Sequence, residues 1–194
     1  MIDLVLQWWS FAVLGVVLFI ASWTDVRSGI IPRQLTYPAI AVGLIGHTLT
    51  GGLTGAGGGM QFGLLGALAG FAVGFLPMMA VFFTGGIGGG DVKLMGAIGA
   101  LAGWRFTLTA MFFGFGVAVV MALVILLRRR MALAVFKRIL QWFWVVLSFG
   151  KAYDPATEDS PKLPFGLALC LGSAVALIEV LIRGPVARKL FLGV

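Results

Sequence analysis

An all-α fold of membrane-spanning helices is expected for this chain because of its composition, its long apolar runs and the placement of its basic residues. Hydrophobic residues make up 60% of the 194 residues and charged residues 11%, whereas soluble domains average roughly 45–50% and 25%. A soluble protein of this composition would expose apolar patches far larger than monomers tolerate. The composition therefore favours a polytopic membrane protein over a soluble domain.

Six apolar runs account for most of the chain, and about 20 apolar residues are needed to cross the hydrocarbon core of a bilayer as a helix. The runs are Leu4–Trp23, Leu35–Leu49, Phe62–Thr84, Val92–Gly103, Phe106–Leu127 and Leu163–Ile182. Polar residues at 24–28, and then Pro32, whose ring cannot continue a helix, predict the end of the first run. We therefore predict about six transmembrane helices.

Residues 131–149 depart from this pattern, because Lys137 and Arg138 interrupt an aromatic stretch. A pair of charges at the centre of a span costs several kcal/mol. We therefore predict that 131–149 is an amphipathic helix on the cytoplasmic membrane surface and that 150–162 is a loop. With these segments included, residues 1–194 are predicted to form a single transmembrane domain.

The basic residues predict the orientation of the chain. Six spans place ten of the fourteen basic residues on one side, which the positive-inside rule makes cytoplasmic, with the amino terminus outside. Arg183, Arg188 and Lys189 then also lie outside, a conflict that a seventh span through 131–149 would remove. Although the net charge is +7, the charges lie at helix ends rather than on a soluble face, so lipid and not nucleic acid is the expected partner.

Two acidic residues lie at the ends of predicted spans, Asp25 at the end of the first and Asp91 at the start of the fourth. Because these spans run in opposite directions, both residues are expected on the cytoplasmic side, where they can meet. The fourth run has about 13 residues and reaches only ~20 Å, so Asp91 is expected below the membrane surface.

A pair of carboxylates in a low-dielectric site can carry out peptide hydrolysis. The two cannot both ionise easily, so they share a proton. One can then take a proton from water while the other donates one to a carbonyl oxygen, without a metal or a covalent intermediate. The glycines before Asp91 have no side chains to block an extended peptide. The alternative is structural, with Asp25 capping a turn against Arg27 and Asp91 capping its own helix.

Three blocks of sequence carry a resemblance to a known family. They are DVRSGIIPRQLT from Asp25 to Thr36, GGGDVKLMGAIGALAGW from Gly88 to Trp104, and KLPFGLALCLG from Lys162 to Gly172. In order and spacing they resemble the type IV prepilin peptidases, which are GxGD-type aspartic membrane proteases. The resemblance implies that residues 1–194 form one transmembrane peptidase domain.

The resemblance also implies roles for individual residues. The family's two catalytic aspartates fall on Asp25 and Asp91, and neither a metal nor another cofactor is implied. The other residues that match its motifs, and that are expected at or near the substrate, are Gly88, Gly90, Lys93, Pro164, Phe165 and Gly166.

The expected partner is a prepilin or pseudopilin. The family removes the short basic leader of these proteins at the cytoplasmic face of the bacterial inner membrane, after a glycine. Members that also methylate the new amino terminus carry paired CxxC motifs, whereas this chain has one cysteine. It resembles the short, peptidase-only type found with Flp pili of tight-adherence systems.

The residues alone leave two other classes of function open. The chain could be a small proton-coupled transporter or channel subunit in which Asp25 and Asp91 relay protons, or a non-catalytic scaffold for pilus or secretion assembly. Further acids along the spans would favour the transporter, and outside these two sites the predicted spans are nearly bare.

Overall fold

The computed structural model describes residues 2–54, 63–128 and 164–182, which form five helices and no strand. The helices are α1 (Ile2–Ser28), α2 (Arg33–Gly51), α3 (Leu64–Phe83), α4 (Gly89–Arg128) and α5 (Phe165–Ile182). Four of them are long and apolar enough to cross a membrane, namely α1 over Trp9–Ser28, α3, α4 and α5. The all-α membrane class is confirmed, and the number of about six spans is not reached in this part of the chain.

The chain divides into two compact units. The larger comprises Met1–Val117 and Pro164–Val194, and the smaller, Ala118–Leu163, is described only where α4 ends at residues 118–128. The predicted amphipathic helix 131–149 and loop 150–162 lie outside the described residues, as do the basic residues near the carboxyl terminus. The single domain over 1–194 therefore stays a prediction.

The first helix continues beyond its predicted end. The polar residues after Trp23 were expected to terminate it, but α1 runs on to Ser28. Two hydroxyls in this segment bond back to carbonyls of the helix, Thr24 to Ala21 at 3.0 Å and Ser28 to Thr24 at 2.7 Å, so polar side chains are accommodated without ending it. The helix ends at Gly29, which adopts a φ of 63° and donates its N–H to the Asp25 carbonyl at 2.8 Å. As a result, Asp25 lies in the last turn of a helix.

The fourth and fifth predicted spans belong to one element. The 40-residue α4 covers both, with non-helical dihedrals at Gly103, where φ is 78° and ψ is 170°. Glycine is essentially the only residue that adopts this backbone conformation. The predicted boundary between the two runs therefore corresponds to a break in α4 and not to a loop.

The remaining helices follow the predicted runs closely. The predicted run Leu35–Leu49 lies within α2. Because α2 contains more polar residues than the other helices, it is not among the four that are apolar enough to cross a membrane. Phe62–Thr84 contains α3, and the last predicted span contains α5.

The first half of α4 is the centre of the larger unit. All six non-glycine side chains from Leu94 to Leu101 are completely buried. Two glycines of α3 pack against it: Gly70 lies on the Gly99 backbone and Gly74 on the Met95 carbonyl, without room for a Cβ at either position. Because lipid provides no hydrophobic drive for helices to associate, such close backbone packing holds them together. The first half of α4, which carries Asp91, is therefore enclosed by protein.

Candidate active site

Asp25 is held at the end of α1 by the start of α5. Its side chain is 7% exposed, and its Oδ2 accepts a hydrogen bond of 2.7 Å from the Leu167 N–H. The first N–H groups of a helix have no partner within the helix and carry the positive end of its dipole. The beginning of α5 thus supplies a fixed donor for a buried carboxylate from a distant part of the chain.

Asp91 is held by the start of its own helix. Its side chain is 9% exposed, and its Oδ2 accepts a hydrogen bond of 3.2 Å from the Gly88 N–H, while the Gly88 carbonyl accepts the Asp91 N–H at 3.1 Å. The side-chain bond is one half of a capping box, the half in which a side chain of the first turn reaches back to the N–H of the residue before the helix. Asp91 is thus the third residue of α4 and not the N-cap that the structural alternative expected, and its bond to the Gly88 N–H orients the carboxylate.

The two carboxylates lie in one site. Asp25 is close enough to act electrostatically on Asp91, although α2 and α3 separate the two residues in the chain. Both carboxylates also act electrostatically on Cys170 of α5, which lies beside Ser22, one turn before Asp25. The structure thus brings together the end of α1, the start of α4 and the first turns of α5.

The motif glycines occupy positions where a side chain would collide with this site. A Cβ on Gly88 would lie 3.2 Å from Asp91 Oδ2. At Gly90 it would lie 3.2 Å from Ile31 Cβ, and at Gly166 it would lie 2.8 Å from Ile31 Cδ1 and 3.0 Å from Asp25 Cγ. These distances are shorter than ordinary van der Waals contact, so each glycine allows the backbone to approach its neighbour.

The contacts found for the other predicted motif residues are with residues other than the two aspartates. The contact that the structure gives Lys93 is with the ring of Tyr37 on α2, at 5.2 Å from the ring centroid. The Pro164 carbonyl accepts the Ala168 N–H at 3.3 Å and so begins α5, and the Phe165 ring lies 5.8 Å from that of Phe115. Of the PFG element, Gly166 is the residue that reaches Asp25.

Three residues at the site were not singled out by the sequence. Ile31 belongs to the first motif block, but no pattern distinguishes it from Ile30. Ser22 and Cys170 lie in apolar runs whose composition indicates packing alone. A signal for Ser22 is its position one helical turn before Asp25, which places both on one face of α1.

His47 has a structural environment away from the carboxylates. It is buried, its Nε2–H donates to the Leu101 carbonyl at 2.9 Å, and its ring lies 5.2 Å from that of Trp9. Gly103, two residues after Leu101, has the non-helical dihedrals of the break, so His47 bonds to a carbonyl just before it. These contacts make His47 a packed residue of the protein interior.

Comparisons with known proteins identify relatives of the chain. The model of the type IV leader peptidase family matches residues 12–126, which is more than half of the sequence and includes both aspartates. A protein of Bacillus subtilis (strain 168) named prepilin leader peptidase/N-methyltransferase is 49% identical over 51 residues, or 26% of this chain. The match spans only 20% of that relative's length. No solved structure matches the chain.

Proposed function

The chain belongs to the type IV leader peptidase family, and from this premise we propose that it is a membrane-embedded aspartic endopeptidase that removes the basic leader from type IV prepilins or pseudopilins. The observation that supports the aspartic mechanism best is the pairing of two buried carboxylates, Asp25 and Asp91, within electrostatic range of each other. The name of the Bacillus subtilis relative, prepilin leader peptidase/N-methyltransferase, supports a prepilin as substrate.

The proposed reaction uses water as the nucleophile. Backbone N–H groups bind Oδ2 of both aspartates, which leaves the other oxygens for water and for the proton that the pair shares. One carboxylate takes a proton from water as the water oxygen bonds to the scissile carbonyl carbon, and the other donates its proton to the carbonyl oxygen. The tetrahedral intermediate then collapses and the C–N bond breaks. The leaving nitrogen receives a proton from the first carboxyl group, and the second carboxylate takes the proton of the hydroxyl that becomes the new carbonyl, which restores the starting state of the pair.

The helix starts pre-organise this chemistry. Donors that already hold a carboxylate in place need no reorganisation during the reaction, and the Leu167 and Gly88 N–H groups are such donors. We place the cut after a glycine at the cytoplasmic face of the bacterial inner membrane, where the leader of a membrane-inserted prepilin would be exposed. Gly88, Gly90 and Gly166 lie beside the aspartates, and we propose that they leave room for the peptide. We propose that Lys93, Pro164 and Phe165 also lie at or near the bound peptide.

The mechanism predicts that Asp25→Asn and Asp91→Asn each reduce cleavage by at least about a thousandfold, since neither variant can complete the transfer of protons. Purified protein in detergent would be incubated with a prepilin in the presence of a chelator, and the released leader would be measured by mass spectrometry. Wild-type protein should cleave at a single site despite the chelator.

Glu179→Gln is the matched control. Glu179 is also a carboxylate on a membrane helix, but it lies twelve residues after Leu167 along α5, or ~18 Å at 1.5 Å per residue. This variant should cleave at the wild-type rate. Full cleavage by either Asn variant, with folding unchanged, would rule out the two-aspartate mechanism. A wild-type protein that cleaves no prepilin would leave the transporter and the scaffold as the remaining alternatives.

A further inference from the structure

Ile31 occupies the space between the three segments that form the candidate site. It follows the Gly29 turn at the end of α1 and comes just before Pro32, which precedes α2. Its side chain is 6% exposed, whereas that of its neighbour Ile30 is 68% exposed. Of two adjacent identical residues, one is therefore buried in the site and the other lies on the surface.

Two glycines make contact with Ile31, and each adjoins one half of the aspartate pair. On one side is Gly90, which immediately precedes Asp91, and a Cβ there would lie 3.2 Å from Ile31 Cβ. On the other side is Gly166, which immediately precedes the Leu167 N–H that holds Asp25, and a Cβ there would lie 2.8 Å from Ile31 Cδ1. The isoleucine side chain thus fills the gap between the start of α4 and the start of α5.

We propose that Ile31 is a positioning residue that sets the separation of the Asp25 and Asp91 carboxylates. The inference rests on the proposed function, because that separation matters only if the two groups act as a pair. Protein interiors are close-packed, so a side chain held between two backbones fixes their distance in a way that a smaller residue would not. The side chain makes no hydrogen bond and takes no part in the reaction, and it acts through the two segments it separates.

The test compares Ile31→Ala with Ile30→Ala in the full-length protein. A displacement of about 1 Å in an active site can reduce turnover up to a hundredfold. Ile31→Ala should therefore reduce kcat for prepilin cleavage by roughly ten- to a hundredfold, with KM within about twofold of wild type. Ile31→Val, which retains the branched Cβ, should lose much less, and Ile30→Ala should behave as wild type.

A second measurement separates positioning from folding and needs no substrate. Infrared titration of the carboxyl bands, assigned with Asp25→Asn and Asp91→Asn, reports the two protonation steps of the pair. Because the repulsion of two carboxylates depends on their separation, a change in that separation changes the spacing of the two protonation steps. Ile31→Ala should produce such a change, and Ile30→Ala should not. The other titratable groups near the pair, Cys170, Lys93 and Tyr37, are the same in both variants.

A paired substitution tests the geometry directly. Gly166→Ala should reduce kcat because the new methyl group meets Ile31 Cδ1 and Asp25 Cγ. Adding Ile31→Val removes the Cδ1 atom, so the double variant should recover part of the activity that Gly166→Ala loses. Additive losses in the double variant would contradict the proposed contact.

The outcomes distinguish this inference from the function on which it rests. If wild-type protein cleaves and Asp25→Asn does not, but Ile31→Ala retains both the wild-type kcat and the wild-type titration, the positioning role is wrong and the protease stands. A reduced kcat explained entirely by less folded protein, with the titration unchanged, also overturns the positioning role. If wild-type protein cleaves no prepilin, the proposed function fails, and an unchanged titration in Ile31→Ala would additionally exclude the spacing role.

Discussion

Each of the three glycines before Asp91 has a different neighbour, and these neighbours explain why the first and the third must be small. A Cβ on Gly88 would lie 3.2 Å from the Asp91 carboxylate and one on Gly90 would lie 3.2 Å from Ile31, both closer than ordinary van der Waals contact. A Cβ on Gly89 would meet Phe82 at 3.5 Å, which is ordinary van der Waals contact. The spacing of the GxGD motif therefore follows from which face of the first turn of α4 points into the site.

This geometry predicts different effects for neighbouring substitutions. Gly88→Ala should reduce cleavage by roughly tenfold or more, because its methyl group would displace the Asp91 carboxylate from its position. Gly89→Ala should remain within about twofold of wild type, since its methyl group has space and alanine favours the helix. Initial rates of leader release from both variants, normalised to folded protein, would provide the comparison. Equal losses in the two variants would show that the motif depends on flexibility and not on contacts with the site.

The aspartates and the glycines were accessible to sequence reasoning because their residue types carry distinct chemistry. An acid at the edge of an apolar run and a cluster of glycines are both rare in a chain with 11% charged residues. Ile31 carries no such signal, because isoleucine is common in every span and its position between two glycines arises only when distant segments meet.

At the scale of elements, the break in α4 is held by two side chains on either side of it. His47 donates to the Leu101 carbonyl at 2.9 Å, and the Thr107 hydroxyl donates to the Gly103 carbonyl at 2.7 Å. Buried carbonyl groups released from a helix must find such partners, because no water is available within the bilayer. The break therefore ends the short helix that carries Asp91 without exposing its backbone.

Gly103→Ala should destabilise the protein by about 1–3 kcal/mol, because alanine does not adopt the backbone conformation found at Gly103. The control is Gly116→Ala in the same helix, where a Cβ would have nothing within 4 Å. That substitution should be neutral or stabilising by up to about 1 kcal/mol, since glycine weakens a helix. Thermal unfolding of both variants in one detergent would measure the difference. Similar losses in both would mean that α4 continues through Gly103 without a break.

The extension of α1 beyond its predicted end also depends on side chains that hydrogen-bond to helix carbonyls. The hydroxyls of Thr24 and Ser28 donate hydrogen bonds to carbonyls of α1 itself. These polar residues therefore do not end the helix. The end at Gly29 follows from its positive φ, which a glycine permits but does not require. Asp25 is therefore fixed by a helix, which positions a side chain more rigidly than the loop that polarity suggested.

At the scale of the whole molecule, both aspartates are predicted to face the cytoplasm. This prediction requires α2 to span the bilayer. The 19 residues of α2 reach ~28 Å, close to the ~30 Å of a hydrocarbon core, even though its hydropathy is lower than that of the other helices. Ile30 precedes α2 and Leu53 follows it, and both side chains are exposed.

Single cysteines at these positions test the orientation. A membrane-impermeant maleimide should label Ile30→Cys only when it has access to the cytoplasmic side, and should label Leu53→Cys from the outside of intact cells. Buried Cys170 provides the background control in the unsubstituted protein. Labelling of both positions from one side would mean that α2 does not cross the bilayer, and labelling with the sides exchanged would reverse the predicted orientation.

The sequence by itself determined the membrane class, the approximate position of each described helix, the family and the two acidic candidates, because hydropathy and short motifs are local properties of a chain. Only the tertiary structure decided that Asp25 accepts a bond from Leu167, 142 positions away, that Asp91 lies within its electrostatic reach, and that Ile31 separates the two segments. These contacts depend on how closely helix backbones approach. That closeness is set by packing across the whole unit and leaves no periodic pattern in any one segment.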